Sequence, residues 1–242
     1  PLTAARLARD GEKAGPVRHM GAGQHSGSLL LARRNGWSQE DYWQPEHPSQ
    51  VAYRSAVARA YGTTPERLRT AIDGCGVETF AFPLREVARA FAFLADPSAV
   101  DSGDARSAMA EPLTRIRDAM LANPEMIAGR HDRLDTSVMK AAPGRLVSKS
   151  GVEALRGMAI LPGTRVGTQH ADASGMALKI EDGDGFDRGT WAASVEALRQ
   201  AGALDGQAMR VLARYHRPTL LDPHGRVGAE AVAAFELAPV GE

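Results

Sequence analysis

Between Leu84 and Ala95 the apolar positions Leu84, Val87, Ala88, Phe91, Leu94 and Ala95 recur three or four apart. That spacing puts them on one face of a helix, which Asp96-Pro97 stops. A second periodic segment, Arg106 to Leu121, places Met109, Leu113, Ile116 and Met120 together and closes at Asn123-Pro124. Beyond it the pattern shortens to strands at Arg145 to Lys149, Gly157 to Leu161 and Gly175 to Ile180. Their short connections predict an antiparallel meander. Helices follow over Thr190 to Ala201 and Gly206 to Tyr215, and the tail runs out at Pro239-Val240-Gly241.

The first part of the chain is less periodic. Pro1 to Leu7 reads as a helix tail before the turn-rich stretch Asp10 to Pro16. Gly21 to Gly27 reads as a glycine-rich loop that enters a helix at Ser28, with backbone N–H groups able to receive an anion or a polarised carbonyl. A helix is predicted over Ser49 to Tyr61, and another from Thr64-Pro65-Glu66 to the turn Asp73-Gly74-Cys75-Gly76. Helices, then a meander, then terminal helices indicate an α+β fold. The helical part spans about 28–142, and the meander with its terminal helices about 143–242.

Composition narrows the function. Twenty-nine basic residues balance 29 acidic ones and are spread along the chain, which argues against a nucleic-acid partner. No apolar run approaches the roughly 20 residues that span a bilayer, so no membrane partner is expected. Cys75 is the only cysteine, so no internal disulfide forms and a cytoplasmic location is the expectation.

The sharpest chemical feature is Lys149-Ser150-Gly151 at a strand end. A Lys-Ser/Thr-Gly there is the third element of serine β-lactamases and penicillin-binding proteins. Its ammonium biases a pocket toward negative charge, and the glycine lets backbone approach a substrate. Lysine occurs only at positions 13, 140, 149 and 179, the other basic residues being arginine. Ser137-Val138-Met139-Lys140 matches Ser-x-x-Lys, but its Lys140 lies only nine residues before Lys149 rather than on a distant early helix. The seven histidines show no metal-ligand spacing, and no Gly-x-Ser-x-Gly, Walker loop or His-Glu-x-x-His is present.

Taken in order, these segments resemble the L-asparaginase II family, serine-type amidohydrolases with a β-lactamase- and glutaminase-like fold. The landmarks are Gly23-Gln24-His25-Ser26-Gly27, Asn35-Gly36-Trp37, His47-Pro48, Asp73-Gly74-Cys75-Gly76, Phe82-Pro83-Leu84 and Asn123 to Gly129. Asp135-Thr136, Lys149 to Glu153 and Ala177 to Gly183 complete the series, and the resemblance runs from about Pro16 to Glu236.

The resemblance implies an L-asparaginase that turns L-asparagine into L-aspartate and ammonia through a serine acyl-enzyme. It implies that the Ser-x-x-Lys serine precedes the segment at Gly21, so that the first third of a family member lies outside this chain. An incomplete core would then expose apolar surface along Arg145 to Ile180. By the same resemblance Lys149 is the catalytic lysine, and Asp73, Gln24, His25, Ser150 and Gly151 bind substrate. Cys75 matches a zinc-ligating cysteine, but Gly21 and Gln24 replace its partner ligands, so no cofactor is expected here. The expected partner is asparagine, in a homodimer. The alternatives are a degenerate asparaginase-like binding or regulatory domain, or a glutaminase.

Overall fold

The three strands expected after residue 140 are present in the computed structural model and form one antiparallel sheet. The structure describes residues 2–13, 15–167, 171–184 and 188–238; Pro1, His170 and the tail Pro239-Val240-Gly241 lie outside them. The chain divides into two compact units, Pro1–Ala81 and Phe82–Glu242. Among the described residues no helix is long and apolar enough to cross a membrane.

The first unit holds α1 (Leu2–Arg9), α2 (Ala22–Arg34), α3 (Pro48–Ala60) and the hairpin β1 (Arg69–Ile72) with β2 (Glu78–Ala81). Two expectations fail here. Gly21 to Gly27 is not a loop, because α2 begins at Ala22 and runs through Gly23 and Gly27. The segment after Thr64 is not a helix either. Pro65–Arg67 makes a single 3-10 turn and the chain then extends into β1. The Asp73 side chain decides this, since its Oδ1 accepts from the amides of Cys75 at 2.8 Å and Val77 at 3.2 Å and folds the strands back together. At the start of α3, His47 Nδ1 accepts from the Ser49 amide and Pro48 occupies the first turn.

The second unit opens with α4 (Leu84–Ala95), α5 (Ala110–Ala122), α6 (Glu125–Ala128) and α7 (Leu134–Ala141). The sheet follows as β3 (Leu146–Ser150), β4 (Leu155–Ile160) and β5 (Ser174–Lys179), in that spatial order. Then come α8 (Gly189–Gln200), α9 (Gly206–Val211), α10 (Ala213–His216) and a hairpin, β6 (Thr219–Leu221) with β7 (Val227–Glu230). The buried carboxylate of Asp184 starts α8 by accepting from the amides of Gly189 at 2.7 Å and Thr190 at 2.6 Å.

Side-chain alternation gives the sheet two covered faces. Leu146, Met158 and Ile160 look into the main core, with Val138 of α7, Val195 and Leu198 of α8, and Tyr215. Val147, Gly157, Ala159 and Gly175 lie on the other face, where α4 packs. The large apolar side chains exposed between residues 145 and 180 are Val152 and Val166, both in connections. β3 and β4 are largely buried and β5 is half-buried, so among the described residues the large exposed apolar side chains expected along the meander are confined to those two connections.

Candidate active site

Lys149 stands at the end of β3, exposed, on the face of the sheet that α4 covers. Its register partner is Gly157 of β4. Its ammonium donates to the carbonyl of Ser150. Ser150 and Gly151 are half-buried, and the Gly151 amide donates to Leu155 O at 2.7 Å, which extends the ladder one step past the strand. The turn beyond it carries Glu153 and Ala154 at φ 55° and 59°. Two successive non-glycine residues in the left-handed region cost on the order of 1 kcal/mol each, so the surrounding contacts impose this turn.

Behind the strand lies a buried charge cluster that spacing alone does not reveal. Asp135, in the first turn of α7, is 2% exposed, as is Arg156 of β4. Asp135 Oδ1 accepts from Ser148 Oγ at 2.5 Å and from the Arg156 guanidinium. Asp135 Oδ2 accepts from the Ser150 hydroxyl at 2.7 Å and the Ser150 amide at 3.1 Å. Burial pulls the Arg156 guanidinium below its ordinary range, while the adjoining carboxylate pulls the other way.

The remaining sequence-derived residues belong to the first unit, and Lys149, Ser150 and Gly151 to the second. Asp73 and Cys75 share the β1–β2 loop, where Asp73 acts through Oδ1 as the turn cap. Gly21 lies against Cys75, since a Cβ there would sit 3.2 Å from Sγ. His25 Nδ1 is tied to Tyr42 Oη at 2.8 Å, and Gln24 is exposed on α2. The residues present do not fit zinc. A Cβ on Gly21 would sit 3.2 Å from Cys75 Sγ and 3.3 Å from both His19 Nδ1 and His25 Cδ2, yet among the described residues no three His, Cys, Asp or Glu side chains are arranged to hold a metal.

Two other nucleophile arrangements fail on geometry. Ser137 Oγ pairs with Tyr215 Oη at 2.9 Å, while Lys140 Nζ lies 3.4 Å from Glu125, so this Ser-x-x-Lys is not a working pair. Ser49 Oγ sits 2.8 Å from His47 Nδ1, and His47 Nε2 is 3.9 Å from Asp41, an array with triad components. Ser49 is buried, however, and its hydroxyl also donates to Tyr42 O at 3.2 Å. No substrate reaches it; the array caps α3.

The fold is α+β, and its most distinctive feature is a lysine at the open end of a sheet edge, followed by serine and glycine. Comparison with known families gives the particular assignment. The chain belongs to the L-asparaginase II family, whose profile matches residues 1–232 of 242. Family membership supports an asparaginase-type hydrolase. No curated protein matches the chain.

Proposed function

We propose that the complete protein is an L-asparaginase that hydrolyses the side-chain amide of asparagine through a serine acyl-enzyme. The observation that carries this reading is Lys149 exposed at the end of β3, with Ser150 and Gly151 after it. In this mechanism a serine outside residues 1–242 attacks the amide carbon, and a neighbouring lysine takes its proton and passes it to the departing ammonia. Water then releases aspartate from the ester. Lys149 supplies positive charge that favours deprotonation of the serine and steadies the oxyanion. The resemblance alone, and no geometry, assigns Asp73 to the substrate ammonium and Gln24 and His25 to substrate binding. A β-lactamase-like arrangement of the whole and a homodimer belong to the same proposal.

The test is ammonia release from asparagine and from glutamine by the full-length protein and its Lys149→Ala variant. Lys149→Ala should abolish turnover and keep the wild-type circular dichroism spectrum. Undiminished activity in that variant would remove the assignment, and preference for glutamine would make the protein a glutaminase.

One observation favours a second reading, a degenerate binding or regulatory domain: Gly21, which has no side chain to ligate a metal, stands beside Cys75. The upstream coding sequence separates the two. A Ser-x-x-Lys there supports the enzyme, and its absence supports the degenerate domain.

A further inference from the structure

The Asp135 carboxyl group reaches both chain neighbours of Lys149 and leaves Lys149 itself alone. Alternation along β3 explains how. Ser148 and Ser150 point to the inner face, where Asp135 and Arg156 lie, and Lys149 points to the opposite one. The backbone is gripped as well. Bonds from Leu161 N to Arg145 O and from Gly151 N to Leu155 O place the odd-numbered residues of β3 in hydrogen-bonded pairs with β4. The Ser150 amide therefore faces away from β4, on the unpaired side of an edge strand, and Asp135 Oδ2 takes it at 3.1 Å.

Neutralising Arg156 does not explain this layout. One oxygen of Asp135 meets the guanidinium, whereas the other is committed to the amide and hydroxyl of Ser150. A carboxylate serving only as a buried counter-ion has no need of the strand edge.

We infer that Asp135 is a positioning residue for Lys149, an inference that rests on the catalytic role proposed for that lysine. Asp135 clamps Ser148 and Ser150 from behind and so fixes the stretch of backbone from which the ammonium projects. It touches no substrate. The clamp acts on where Lys149 stands in the transition state, and a displacement of about 1 Å in a catalytic group is enough to cost turnover.

Replacing Asp135 itself would strand the Arg156 charge in the core and endanger folding, so the informative variant is Ser148→Ala. Ser148 is fully buried on the inner face, and the change removes one tether while the Asp135–Arg156 pair remains. In the full-length protein, kcat for asparagine should fall about tenfold with KM within about twofold. Amide exchange at Lys149, Ser150 and Gly151 should accelerate. Val195→Ala, a core change on α8, serves as the control; it should lower Tm and spare both quantities. An equal loss of kcat in the control makes the role merely structural and overturns the inference, as does unchanged exchange at 149–151 in Ser148→Ala. If the wild-type protein does not hydrolyse asparagine, the amidohydrolase reading fails on its own. The exchange measurement then decides the clamp, which stands if protection at 149–151 drops and falls if it does not.

Discussion

Phe91 of α4 lies over Gly157 of β4 so closely that a methyl group on the glycine would sit 2.0 Å from Cε2 of the ring. Gly157 is also the residue opposite Lys149 across the β3–β4 ladder. Gly157→Ala should therefore destabilise the protein by about 1–3 kcal/mol in urea unfolding, as overpacked cores do. Adding Phe91→Ala should remove most of that overpacking penalty, because the clash is with a side chain. Gly175→Ala should cost more than Gly157→Ala and resist such rescue, since its methyl would sit 1.7 Å from the backbone carbonyl of Ala88. Equal costs at the two positions would contradict this account of how α4 meets the sheet.

Gly27 offers the opposite case. It lies exposed within α2, and a Cβ there meets nothing within 4 Å. Gly27→Ala should stabilise the protein by about 0.5–1 kcal/mol, by reducing the entropy of the unfolded chain and improving helix propensity. Gly76, at φ +82° in the β1–β2 loop, should respond in reverse and lose about 1 kcal/mol on the same change. Urea midpoints of the two variants test the pair.

Acid should weaken the second unit through Glu196 of α8. The Arg199 guanidinium, with help from Gln200 and His216 and against the effect of burial, lowers its pKa from 4.5 to about 2. A carboxyl depressed by folding stabilises the folded state above its unfolded pKa and loses that contribution as pH falls through the folded one. The loss should fall between pH 4.5 and about 2. Glu196→Gln should flatten the stability profile across that window. Parallel profiles for the two proteins would refute the assignment.

Zinc should have no effect on the first unit. With no three metal-ligating side chains arranged together among the described residues, neither zinc nor a chelator should shift Tm of the wild-type protein. A zinc-dependent rise in Tm that disappears in Cys75→Ser would show that ligands are recruited to this thiol.

The fold was legible where one face of an element is buried. The helix from Leu84 to Ala95 occupies the range its apolar spacing predicts, and the three central strands differ from their expected bounds by one or two residues. It was illegible where burial carries no signal. All four residues of β1 are exposed, so Arg69–Ile72 shows no alternation, and Thr64-Pro65-Glu66 imitates a helix start while making only one 3-10 turn. The turn after Gly151 was equally hidden, because Glu153 and Ala154 adopt positive φ without the glycine or asparagine that announces it. At the candidate site, Lys-Ser-Gly is a local signal and was readable. The Asp135–Arg156 cluster is not, since Ser148, Ser150 and Arg156 lie 13 to 21 positions from Asp135 and only the packing of α7 on the sheet joins them to it.

Cys75, half-buried in the β1–β2 loop beside Gly21, is the only thiol in the chain. A thiol-reactive fluorophore therefore attaches at one place without any engineered handle. Its rate of attachment is a clock for local opening of that loop.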